Sequence, residues 1–94
     1  MMNKEKRIRI KLFGIVQGVG MRDYIEREAS MMGIKGYVKN LPDNSVECIA
    51  EAETDKLDQL INAIKNSPRG KVESVTTEDV PNPQESLNGF SIRF

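Results

Sequence analysis

The chain has 94 residues, in which 14 lysines and arginines balance 14 aspartates and glutamates to a formal net charge of zero. That length suits one domain with a modest two-layer core, so residues 1–94 are expected to form a single unit, with 1–6 a flexible start and any chemistry on one scaffold. Zero net charge gives no global pull towards nucleic acid or an anionic membrane, and the lack of histidine with only one cysteine, Cys48, excludes the usual zinc sites, a serine–histidine triad and a phosphohistidine intermediate.

The opening "MMNKEKRIRIKL" lacks the apolar core of a signal peptide, and no apolar run approaches the ~20 residues that span a bilayer. A soluble, cytoplasmic protein is the expectation. Within "RIRIKLF", 7–13, Ile8, Ile10 and Leu12 alternate with Arg7, Arg9 and Lys11, which predicts a half-buried strand whose basic face is solvated. "GIVQGVGMR" follows, and from Met21 the residues Met21, Ile25, Ala29 and Met32 recur at helical spacing, with Gly33 as the C-terminal stop.

"IKGYVK", 34–39, reads as a second strand, "LPDN" as a turn and "SVECIAEA" as a third strand, the two forming a hairpin. Cys48 shares a face with Val46 and Ala50, as a buried small apolar residue would. The "IAEAET" after it has neither arginine nor a glycine-rich loop to activate a thiolate, so no cysteine phosphatase is expected. Thr54 is placed to cap a second helix, on which Leu57, Leu60, Ile61 and Ile64 form an apolar stripe. "NSPRG" ends that helix, "KVESVTTEDV" is a fourth strand, "PNPQESLNG" an exposed loop and "FSIRF" a short terminal strand with Phe90, Ile92 and Phe94 turned inward.

The order βαββαβ with a short extra C-terminal strand predicts an α+β, ferredoxin-like two-layer sandwich, mostly antiparallel, with two helices on one face. In that arrangement the first two strands are parallel with a third between them, so "GIVQGVGMR" and Asn40 reach the same sheet edge about 10 Å apart, two strand spacings of ~4.8 Å. A dinucleotide turn fails here because Asp23 stands where a third glycine belongs, and a Walker loop fails at Val19 and Gly20. What fits is a strand-to-helix loop whose backbone N–H groups converge on an anion, with Arg22 as a planar, charged donor. A tight packing turn with Arg22 on the surface also fits these spacings, and Asn40 before its turn fits a local backbone bond.

"GIVQGVGMR" closely resembles the signature G-x-V-Q-G-V-x-F-R of the acylphosphatase family, and "GYVKN", 36–40, resembles its second signature. The likeness runs from about Arg7 to Phe94 and includes "DNSVE", "SPRGKVESV" and "FSIRF". It implies hydrolysis of acyl phosphates to a carboxylate and inorganic phosphate without metal or other cofactor; a lone compact domain of zero net charge makes a monomer without nucleic-acid or membrane partners the expectation. The likeness also implies that the loop Ile15, Val16, Gln17, Gly18, Val19 and Gly20 cradles phosphate through backbone N–H groups, that Arg22 pairs with its oxygens and that Asn40 holds the attacking water. The sequence departs from the family pattern at Met21, in place of an aromatic, and at Asn44 and Ala52, in place of glycines. A second function class, a non-catalytic ferredoxin-like module binding an anion or metabolite, would need the loop and Arg22 but has little use for a water-positioning amide.

Overall fold

The computed structural model describes residues 4–81 and 85–94. The alternation of the first strand holds and extends: β1 runs Glu5–Ile15, with Ile8, Ile10 and Leu12 buried. The flexible start expected over 1–6 therefore shares its last two residues with a strand, and 1–3 lie outside the described residues. α1 (Met21–Met31), β2 (Lys35–Asn40), β3 (Val46–Glu53), α2 (Thr54–Lys65), β4 (Lys71–Asp79) and β5 (Phe90–Arg93) follow in order. The loop expected over 81–89 falls partly outside the described residues, at 82–84.

Sheet order is β4-β1-β3-β2-β5, antiparallel except for the parallel pair β2–β5. This is the ferredoxin-like α+β arrangement with an added C-terminal strand. Both helices lie on one sheet face, where Met21, Ile25 and Ala29 of α1 and Leu57, Leu60 and Ile64 of α2 are buried against Ile10, Leu12, Val38, Val46, Cys48 and Ala50. Each large apolar side chain so buried contributes on the order of 1.5–3 kcal/mol. Tyr24 donates its hydroxyl to Ala63 O at 2.9 Å and ties the helices together. α1 ends in a Schellman turn: Ile34 N–H donates to Ala29 O at 3.0 Å and Gly33 N–H to Ser30 O at 3.1 Å, with Gly33 at φ 71°. Cys48 is fully buried, and that burial pushes its thiol pKa up, so the side chain is inert packing.

Three local expectations change. Thr54 does not cap α2 but is its first helical residue, because β3 stays paired with β1 through Glu53, opposite Glu5, and the chain turns directly from strand to helix. Arg7 is not solvated: it is 8% exposed, with Nε donating to Glu51 Oε1 at 3.0 Å and Nη1 to Glu85 O at 2.8 Å. Chain far away in sequence covers that end of the basic face. Arg9 and Lys11 match the expectation better, each at the surface and paired, Arg9 with Glu47 at 3.2 Å and Glu78 at 2.6 Å, Lys11 with Asp43 at 3.1 Å. Phe94 does not turn inward with Phe90 and Ile92; it lies one residue beyond β5 and is fully exposed.

Candidate functional site

β1 and β2 are both antiparallel to β3, and Leu12 and Asn40 both stand opposite Val46. The register thus brings the end of β1 and the end of β2 to one edge of the sheet. Between Ile15 and Met21 the chain makes a loop with Gly18 at φ 74° and Gly20 at φ 83°. No other atom comes within 4 Å of a Cβ placed on Gly18, so backbone shape, and not crowding, calls for glycine there. Gly20 is the N-cap of α1 and offers no side chain to the first turn. Among the described residues, Tyr24 N–H is the first after β1 to find a backbone acceptor, Gly20 O at 3.1 Å. The N–H groups of the loop and of the first turn of α1 have no described backbone acceptor and stand at the positive end of the helix dipole, an arrangement that suits an anion.

These groups open on a cleft of about 270 Å³ lined by Val16, Gly18, Gly20, Met21, Arg22 and Asn40 together with Asp23, Ile92 and Phe94. It lies just below the ~300–1,000 Å³ usual for small-molecule pockets, a size for a compact group. Met21, which stands where the signature it resembles has an aromatic, is 1% exposed and lines the cleft. Arg22 makes none of the described ion pairs; its guanidinium instead lies over the Phe94 ring, Cζ 4.9 Å from the centroid. The positive charge of the cleft is therefore uncommitted to any described carboxylate.

Asn40 supplies the second polar group. Its Oδ1 is buried and, among the described residues, accepts no hydrogen bond, so the local backbone bond that its position allows is not made. An unpartnered buried acceptor costs about 1–3 kcal/mol, and the residue that carries it lines the cleft. The turn beyond it is firm. Leu41 N–H donates to Ser45 O at 2.9 Å, and Asn44 adopts φ 72°, the left-handed conformation that asparagine tolerates where the family has glycine. Asp43 accepts from the Ser45 hydroxyl and from its N–H at 3.0 Å and pairs with Lys11, which together hold its carboxyl down to about 2.

Gln17 joins the two halves. Its Nε2 donates to Leu41 O at 2.9 Å and to Ser45 O at 2.8 Å, so the loop is bonded to the hairpin immediately after Asn40. Gln17→Leu removes both bonds at similar volume. Two bonds at about 1 kcal/mol each give an expected loss near 2 kcal/mol in urea unfolding at 25 °C, and an unchanged midpoint would show that the tie contributes nothing.

Of the residues singled out from sequence, Val16, Gly18, Gly20, Arg22 and Asn40 meet at the cleft. Gln17 and Val19 flank it, Gln17 reaching across to the hairpin and Val19 packing towards Gly70. Ile15 stands apart from the loop: it is the last residue of β1, paired with Lys71 and 58% exposed. Asp23, Ile92 and Phe94 are cleft residues that the two signatures do not contain; "FSIRF" was the sequence signal for the last two, and the parallel register of β5 beside β2, with Arg93 opposite Lys39, carries them to the cleft. Among the described residues no three His, Cys, Asp or Glu side chains gather as metal ligands would, and no helix is long and apolar enough to cross a membrane.

Comparison with known proteins agrees with this fold. The family model described as Acylphosphatase matches residues 8–92. An acylphosphatase of Caldivirga maquilingensis is 39% identical over 89 residues, covering 94% of each chain, and one of Chlorobaculum tepidum is 40% identical over 77 residues, covering 81% of this chain and 84% of its own. The crystal structure of acylphosphatase from Bacillus subtilis superimposes with a TM-score of 0.87 at 34% identity, covering 97% of this chain and all of that one. The chain belongs to the acylphosphatase family, and is a hydrolase.

Proposed function

We propose that the cleft hydrolyses the carboxyl–phosphate bond of acyl phosphates without a metal, with phosphate held by the N–H groups of Val16–Gly20 and by Arg22, and with water oriented by Asn40. The observation that carries this reading is the buried, unpartnered Asn40 Oδ1 on the same cleft as Arg22. A site that only held an anion would need donors alone; Asn40 brings to the cleft wall an amide whose oxygen no described donor satisfies, and a small turn of that side chain would let the oxygen accept one O–H of a water molecule.

The chemistry asks little more. The leaving group of an acyl phosphate is a carboxylate, whose acid has a pKa of about 4 to 5, so it departs without a general acid. Asparagine is no base, but phosphoryl transfer depends on positioning and charge stabilisation. Arg22 and the N–H cradle would provide the positive field that a divalent cation supplies in many kinases. The reading requires no cofactor, nucleic acid, membrane or second subunit.

The test is hydrolysis of benzoyl and acetyl phosphate in excess chelator, beside an unactivated phosphate monoester. Rapid, chelator-resistant turnover of the acyl phosphates alone is expected. Turnover that vanishes with chelator would overturn the metal-free mechanism, and binding of phosphate without hydrolysis of any substrate would make the chain an anion-binding module.

A further inference from the structure

The flank of the loop away from Asn40 carries a cation that neither the fold nor the phosphate contacts above employ. Sheet order sets this out: β2, with Asn40, lies two strands to one side of β1, and the turn leading into β4 lies on the other. That turn is pressed against the loop. Ile15 pairs with Lys71, and a Cβ on Gly70 would come within 2.1 Å of Ile15 O and 2.7 Å of Val19 Cγ2. The Arg69 side chain lies beside Gly20, its Cδ and Nε each 3.8 Å from where a Cβ on Gly20 would stand.

Among the described residues the Arg69 guanidinium enters no ion pair. Only its backbone is engaged: the N–H donates to Ser67 Oγ at 2.9 Å, and the carbonyl accepts from the same hydroxyl at 3.1 Å. The turn is thus fixed, while the guanidinium, in a depression it shares with Asp23 and Glu28, forms no described ion pair.

We propose that Arg69 is a second catalytic arginine, which receives the departing carboxylate. This rests on the reading of Asn40 as the holder of water. In phosphoryl transfer the attacking and leaving oxygens stand roughly in line through phosphorus. With water on the Asn40 flank, the acyl oxygen leaves on the opposite flank, where Arg69 borders the cradle at Gly20. The water oxygen bonds phosphorus as the bond from phosphorus to the acyl oxygen breaks. The electron pair of that bond stays on the acyl oxygen, and both water protons stay with the phosphate, giving carboxylate and dihydrogen phosphate. Negative charge on the acyl oxygen grows only along this path, so a cation at that place stabilises the transition state more than the bound substrate.

The experiment is single-turnover hydrolysis by Arg69→Gln and Arg69→Lys across acetyl phosphate and ring-substituted benzoyl phosphates. Arg69→Gln is expected to slow acetyl phosphate about tenfold, the order of one charge-assisted hydrogen bond, with the inhibition constant of inorganic phosphate changed by less than about twofold. The loss should shrink as the leaving acid strengthens, so that 4-nitrobenzoyl phosphate suffers less than 4-methoxybenzoyl phosphate, and Arg69→Lys should recover part of the rate. Equal losses across the series, or a tenfold fall in phosphate affinity, would overturn the assignment to the leaving group. Failure of the unaltered protein to hydrolyse any acyl phosphate removes the underlying reading of the site instead, and is distinct from full activity in the variant, which removes Arg69 alone.

Discussion

Replacing Arg22 by alanine is expected to lower kcat/KM for benzoyl phosphate by about 10³-fold and to weaken inhibition by inorganic phosphate together with it. Among the described residues the guanidinium is the one cationic side chain lining the cleft, Arg69 lying outside it beside Gly20, and it stands at the first turn of α1, where N–H groups and a planar donor fork can share the same phosphate oxygens. Because Arg22 makes none of the described ion pairs or side-chain hydrogen bonds and loses only its cation–π contact with Phe94, the melting temperature should fall by no more than about 5 °C, which separates loss of the site from loss of the fold. Arg22→Lys keeps the charge and loses the fork, and is expected to recover only part of the activity. Retention of near-normal activity in Arg22→Ala would end the mechanism.

Asn40→Ala separates water positioning from anion binding. The expected result is a fall in kcat of about 10²-fold with the phosphate inhibition constant unchanged within about twofold, since the amide is assigned to the attacking water and not to the phosphate. Stability supplies a second readout of opposite sign. Oδ1 is buried without a partner among the described residues, so deleting it removes a desolvated acceptor, and the variant should melt no lower than the parent. Lost phosphate affinity at unchanged kcat would contradict the role, because it would place Asn40 on the ground-state anion.

How far the residues announce this site depends on the range of the interactions involved. Ile8, Ile10 and Leu12 declare a strand, and Leu57, Leu60, Ile61 and Ile64 a helix, because both periods are local. The whole element order, and hence the meeting of the loop with Asn40, follows from them. Arg7 misleads because its partners Glu51 and Glu85 arrive from distant chain, and alternation alone cannot tell a solvated arginine from a covered one. Thr54 misleads by one residue because a ladder pair, Glu53 with Glu5, outweighs the preference for a hydroxyl cap. Gln17 stands within a motif, yet its bonds to Leu41 and Ser45 could not be read from spacing. Phe94 lies at the chain end, where alternation predicts an inward side chain but no sheet remains to receive it. Arg69 sits in what reads as a helix-ending turn, and only the pairing of Ile15 with Lys71 carries it to the loop.

The strand order has a kinetic consequence. β1 pairs with β3 and with β4, partners some forty and sixty residues further along the chain, and forms no hairpin with β2, the next strand in sequence. Closing such long loops costs entropy before contact repays it, so a sheet of this order assembles more slowly than one built of successive hairpins. The β2–β3 hairpin can form early, but Asn40 then faces nothing until β1 docks on the far side of β3 and brings its loop alongside. If the site works as proposed, recovery of phosphate binding after dilution from denaturant reports completion of the central sheet, because a half-assembled chain lacks one side of the cleft.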